Sequence, residues 1–179
     1  TLIDISDEAL AKGLSALTAN LDRQLRKETI TAAEKQGALA RISLSTDYAA
    51  LNGVELVIEA ATENLELKKR ILKRIDDTVS DDCVIATNTS SLSITELAAV
   101  VNHPARFIGL HFFNPVPMMA LLEVIRGLQT SDATHALALK LADHIGKSAV
   151  TARNSPGFVV NRILCRSEEH TSELQSPVR

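Results

Sequence analysis

His111 closes the apolar run Phe107 to Leu110 and is followed by Phe112, Phe113, Asn114 and a turn held between Pro115 and Pro117. A histidine placed there sits at a fixed and partly dry strand end. In the next apolar run, Leu121-Leu122-Glu123-Val124-Ile125, Glu123 is the single charge. A carboxylate within a buried strand requires a partner, and the strand just before it offers His111. A His–Glu pair fixes the imidazole tautomer and makes a general base that works near neutral pH. The competing reading is a satisfied core histidine; side-chain contact with Glu123 is what the base requires.

Three further segments stand where open α/β sheets bind ligands, at the carboxyl ends of apolar strands. Glu59-Ala60-Ala61-Thr62-Glu63-Asn64 opens a helix, so Glu63 is either a helix-start carboxylate or a ligand contact. Asn88-Thr89-Ser90-Ser91 offers short hydroxyl and amide groups, which serve ligands but are also ordinary turn chemistry. Asp4 ends the first strand and either accepts from ribose hydroxyls or is a helix N-terminal acid. The glycine-rich loop that would stand roughly 20 residues before it does not occur in the sequence. Near the other end, Asn154-Ser155-Pro156-Gly157 is a strand-to-helix turn, and Asn161 on the apolar helix beyond is a buried tie or a substrate contact.

The elements that position these residues follow from periodicity. Thr1–Ile5 reads as a strand. Leu10, Leu14, Leu17, Leu21 and Leu25 then mark a helix to about Glu28. Thr31 to Glu34 is a capping box for a second helix that Gly37 is expected to stop, giving a helical hairpin. Strands are expected at 42–44, 56–60, 83–86, 107–111, 121–125 and 149–152, and helices at 64–79, 93–101, 132–145 and 157–164. Strands apolar throughout and separated by amphipathic helices predict a doubly wound α/β domain with a parallel sheet covered on both faces.

Composition narrows the partners. The 179 residues are 45% apolar and 3% aromatic, and 22 acidic against 19 basic residues leave a net charge of −3. Neither the charge nor the aromatics suit a nucleic-acid partner. No apolar run approaches the ~20 residues of a membrane span. Two cysteines, Cys83 and Cys165, are too few for a disulfide framework, which points to a reducing, cytoplasmic setting.

Together these segments resemble the NAD-binding domain of 3-hydroxyacyl-CoA dehydrogenases. The likeness rests on Glu59-Ala60, Glu63-Asn64, Asn88 to Leu92, Gly109 to Pro115, Leu122-Glu123-Val124 and Ser155 to Arg162, and runs from Thr1 to about Cys165. The resemblance implies a Rossmann-type sheet, NAD as cofactor and an acyl-CoA substrate, close to 3-hydroxybutyryl-CoA dehydrogenases. It implies that His111 takes the 3-hydroxyl proton as hydride leaves C3, that Glu123 orients His111, and that Ser90 and Asn161 hydrogen-bond substrate oxygens. It places Asp4 on the ribose, with Ala60, Glu63, Lys68, Ser90 and Asn114 along the cofactor groove. In the hairpin, Asn20 and Lys27 fall where the family touches coenzyme A, with Arg23 and Arg26 beside them; a solvated helix face is the plainer reading there.

Against that family the chain is expected to be truncated at both ends. The first strand with its glycine loop would be missing, so the sheet should be interrupted between 1–5 and 56–60. The helical domain through which a parent homodimer would form would be missing too, and the piece alone is expected to be inactive. Residues 166–179 read as a non-native or disordered tail, similar to a translated sequencing adapter, so His170 and its acidic neighbours are not a metal site. Two alternatives stand: the dehydrogenase portion of a multifunctional β-oxidation protein, and a non-catalytic nucleotide- or CoA-binding relative.

Overall fold

A computed structural model of the chain describes residues 1–155 and 157–158. It divides into two compact units, Thr1–Asn52 and Gly53–Arg179.

In the first unit, strand β1 (Leu2–Ile3) leads into helices α1 (Asp7–Arg26) and α2 (Ala32–Ala40), and β2 (Leu44–Ser45) closes it. β1 and β2 pair in parallel, Leu2 opposite Leu44. The Ser6 side chain caps α1 by accepting from the Ala9 amide, and Thr31 and Glu34 form the reciprocal capping box of α2. Gly37 does not stop α2, which runs on to Ala40. An interior glycine costs a helix only about 1 kcal/mol relative to alanine, and the capped first turn outweighs it. α1 stops two residues before the expected Glu28, because Glu28 takes a left-handed backbone at φ 56°.

The second unit holds β3 (Leu56–Glu59), α3 (Leu65–Asp76), β4 (Val84–Thr87), α4 (Ile94–Ala98), β5 (Phe107–Phe112), β6 (Leu121–Arg126), α5 (Asp132–His144) and β7 (Ser148–Arg153). They form one sheet in the order β3-β4-β5-β6-β7, separate from the β1-β2 sheet. The sheet is parallel-dominated but not wholly parallel, which corrects the sequence expectation. β6 runs antiparallel to β5, while the other neighbours are parallel. Residues 113–120 are too few for the crossover of a dozen or more residues that a parallel return needs, so the chain turns back as a hairpin.

Side chains on alternate sheet faces meet different helices. Val84, Ala86, Ile108, Leu110, Leu122 and Val124 pack with Ala138 and Ala142 of α5. On the other face Gly109 admits α4: a Cβ there would lie 2.7 Å from Ile94 Cδ1 and 3.0 Å from Ile125 Cβ. Ile94, Leu97 and Leu72 are fully buried on this side. No described helix is long and apolar enough to cross a membrane.

Candidate active site

Parallel β3, β4 and β5 deliver their following loops to one edge of the sheet, and the hairpin brings the start of β6 to the same edge. His111 and Glu123 stand directly opposite each other in the β5–β6 ladder. His111 Nδ1 lies 2.7 Å from Glu123 Oε2, and both side chains are buried. A carboxylate only accepts, so Nδ1 donates its proton to Glu123 and Nε2 is the ring nitrogen left for another partner. The ring packs at a tilt against Phe113, at 4.5 Å between centroids, and against Phe158, at 5.9 Å. Phe158 is 2% exposed and sits in the turn after Ser155, its backbone at φ 48°. Gly157 and Phe158 form a turn where a helix was expected to begin. Asn161, Cys165, the rest of that helix and the 166–179 tail lie outside the described residues.

The loop after β3 is anchored by a buried cluster. Glu59 Oε2 accepts from Lys68 Nζ at 2.5 Å and from Thr87 Oγ1 at 2.7 Å, while Oε1 accepts from the Ala61 amide at 2.8 Å. Lys68 is fully buried, its ammonium engaged by Glu59 and by Thr87 at 3.3 Å. Of the residues placed along the cofactor groove, Lys68 is thus a closed floor rather than an open side chain. Ala60, Glu63 and Asn114 are exposed. Glu63 Oε2 accepts from Thr89 Oγ1 at 2.8 Å, and Oε1 carries no hydrogen bond among the described residues. Thr89 Oγ1 in turn accepts from the amides of Ser91 and Leu92, which shapes the turn carrying half-buried Ser90. Asn88 ties the same turn to β5, its Oδ1 accepting from the Phe112 amide at 3.0 Å.

Asn154 completes the scaffold from β7. Its Oδ1 accepts from the Ile94 amide at 2.8 Å, and its Nδ2 donates to Ser93 Oγ and Thr95 Oγ1, fixing the start of α4. In the first unit Asp4 is exposed and its Oδ1 accepts from the Ile5 amide. Asn20 accepts from Arg23 Nη2 at 3.1 Å and donates to the Ala16 carbonyl; Lys27 is exposed.

The sequence marks Asn88 and Thr89 as part of a ligand-facing segment but not their partners, Phe112 and Glu63, and it gives Phe158 no role of its own. The lone carboxylate in an apolar strand was a signal for Glu123. Polar residues in a turn give no comparable signal, and Phe158 acts from a segment remote in sequence.

The residues present suit a dinucleotide. The exposed Glu63 carboxylate stands beside a helix start, at the carboxyl edge of parallel strands where such ligands bind. The sequence pattern of the 3-hydroxyacyl-CoA dehydrogenase NAD binding domain matches residues 1–155. The chain is 45% identical over 156 residues to a 3-hydroxybutyryl-CoA dehydrogenase of Clostridioides difficile, covering 87% of this chain and 56% of that protein. It is 42% identical over 161 residues to the fatty acid oxidation complex subunit alpha of Acinetobacter baylyi, covering 90% of this chain and 22% of that one. Among solved structures, the (S)-3-hydroxybutyryl-CoA dehydrogenase PaaH1 of Ralstonia eutropha superposes with a TM-score of 0.93 at 54% identity, over 98% of this chain and 64% of that chain. The chain thus spans little more than half the length of the curated 3-hydroxybutyryl-CoA dehydrogenases it matches. With its sheet, its His–Glu pair and this match over residues 1–155, the chain belongs to the 3-hydroxyacyl-CoA dehydrogenase family, of which it carries the NAD-binding domain.

Proposed function

We propose that the protein carrying this chain oxidises (3S)-3-hydroxyacyl-CoA to the 3-ketoacyl-CoA with NAD, His111 acting as general base and Glu123 as the group that orients it. The observation that carries this reading is the buried 2.7 Å contact between His111 Nδ1 and Glu123 Oε2. It leaves Nε2 as the acceptor for the 3-hydroxyl proton, and a base positioned in this way contributes typically 10²–10⁴-fold. Bound NAD supplies the hydride acceptor. Phe113 and Phe158 pack against the ring.

The other roles belong to the same reading. Ser90 and Asn161 hydrogen-bond the substrate oxygens. Asp4, Ala60, Glu63, Ser90 and Asn114 contact the cofactor, with Lys68 beneath them, and Asn20 and Lys27 meet coenzyme A. A homodimer in the cytoplasm, with neither nucleic acid nor membrane as partner, completes it. The likeness to a fatty acid oxidation complex subunit supports a second setting, in which the same site serves as the dehydrogenase portion of a multifunctional protein.

The test is NADH formation by the full-length protein with 3-hydroxybutyryl-CoA. His111→Gln should lower kcat by 10²–10⁴-fold with the circular dichroism spectrum unchanged. A variant retaining more than a tenth of the wild-type rate would remove His111 from the mechanism.

A further inference from the structure

Two loops leave the site edge side by side, 60–64 after β3 and 88–93 after β4, and two carboxylate–threonine bonds fasten them together. Thr87 Oγ1 donates to Glu59 Oε2 at 2.7 Å beneath the loops, and Thr89 Oγ1 donates to Glu63 Oε2 at 2.8 Å at their outer end. The two fastenings differ in kind. Glu59 and Thr87 are buried with Lys68 and have no free valence toward a ligand. Thr89 is 1% exposed, yet its partner Glu63 is exposed and has a second oxygen to offer. The same hydroxyl accepts from the Leu92 amide at 3.1 Å and the Ser91 amide at 3.4 Å. One buried oxygen therefore joins an exposed carboxylate on one loop to the backbone that sets Ser90 on the other.

We propose that Thr89 is a positioning residue that couples the cofactor side of the site to the substrate side, transmitting the engagement of Glu63 by the dinucleotide to the turn bearing Ser90. The inference rests on the dehydrogenase reading for the identity of both ligands. Its physical basis is local. When a ligand hydrogen-bonds Glu63 Oε1, the carboxylate loses rotational freedom. The Thr89 hydroxyl bound to Oε2 is then held in the orientation that keeps its lone pairs on the two amides. A side chain of the same shape without the hydroxyl leaves Glu63 free to rotate and leaves both amides without that acceptor.

The experiment uses the full-length protein, with NADH as the probe. Hydrogen exchange at the Ser91 and Leu92 amides is followed with and without NADH, and NADH affinity is measured by fluorescence. In the wild type NADH should slow exchange at both amides. Thr89→Val should abolish that slowing, weaken NADH binding about tenfold, as loss of a hydrogen bond to a charged group predicts, and lower kcat/KM for 3-hydroxybutyryl-CoA. Thr89→Ser should restore all three. The pH profile of kcat should not move, because the His111–Glu123 pair is untouched. A Thr89→Val protein that merely melts earlier, with affinity and NADH-dependent exchange as in the wild type, would overturn the coupling. The parent reading fails separately: wild-type protein showing NADH-dependent protection at Ser91 and Leu92 but no oxidation of any hydroxyacyl-CoA would keep the coupling and remove the dehydrogenase.

Discussion

Buried ion pairs stand at both ends of the parallel strands, and they serve different ends. At the amino edge, Arg106 just before β5 donates through Nη2 to Asp76 Oδ1 at 2.6 Å and through Nη1 to the carbonyls of Ser80 and, at 3.0 Å, Cys83. The second Asp76 oxygen accepts from the Asn102 amide at 2.9 Å. At the carboxyl edge, Lys68 and Thr87 hold Glu59, which holds the Ala61 amide. Both pairs pin a loop to the sheet, but only the second loop goes on to present an exposed carboxylate, Glu63. A burial census treats the two alike. What separates them is the chemistry one loop away.

The sharpest way to break this contrast is to remove one cation from each pair. Arg106→Met and Lys68→Met should each destabilise the fold by about 3–5 kcal/mol, because each leaves a carboxylate buried without its partner. Denaturant midpoints measure that loss. Only Lys68→Met should also raise KM for NAD in the full-length protein. An equal rise in Arg106→Met would show that the amino edge is not merely structural. Replacing Asp76 and Arg106 together by Leu and Met should recover most of the stability, since apolar substitutes for a buried pair are often neutral or better.

A smaller effect is expected midway along the strands, at Gly109. A Cβ there meets Ile94 Cδ1 at 2.7 Å, a movable side-chain end, and Ile125 Cβ at 3.0 Å, which is not. Gly109→Ala should cost about 1–3 kcal/mol, as overpacking does. His111 lies two residues on along the same strand, so kcat should fall with stability if the strand shifts. An unchanged kcat would show that the hairpin holds the His–Glu pair independently of α4.

The contrast also explains how much of the molecule could be read beforehand. The central strands β4, β5 and β6 were legible because strands buried on both faces are largely apolar, and Asn64, which opens the expected helix, caps α3. Strand direction was not legible from periodicity, which is the same either way; only the length of 113–120 encodes it. In the site, Glu123 betrayed itself as the lone charge in an apolar run. Lys68 did not, because in Leu65-Glu66-Leu67-Lys68-Lys69-Arg70 it is one of several charges on a helix start, and its partner Glu59 becomes a neighbour only when α3 folds back on β3. Arg106 was hidden for the same reason, with partners 23 to 30 residues away. Thr89 carries an ordinary turn hydroxyl, and only the approach of Glu63 across two loops gives it a role.

The smallest expected effect lies at the amino edge and uses a native reporter. Cys83 is free and 1% exposed, and burial pushes its thiol above the usual range, opposed more weakly by the Arg106 charge nearby. A thiol kept neutral in the fold but ionising in the unfolded chain favours folding fully below the unfolded value of about 8.5. That contribution is lost as pH rises from there toward the folded value, because the unfolded state then binds fewer protons. Stability should therefore fall gently above pH about 8.5, and Cys83→Ala should flatten that fall. The same burial means that alkylation of Cys83 reports opening of the amino edge, since only the exposed thiolate reacts. Labelling should be slow in the wild type and faster in Arg106→Met, which frees the Cys83 carbonyl from its clamp. It should be only as fast in Lys68→Met as that variant's global stability dictates. Equal acceleration in the two variants at matched stability would mean that the edges open together, and the separation between a structural pair and a site-facing pair would fail.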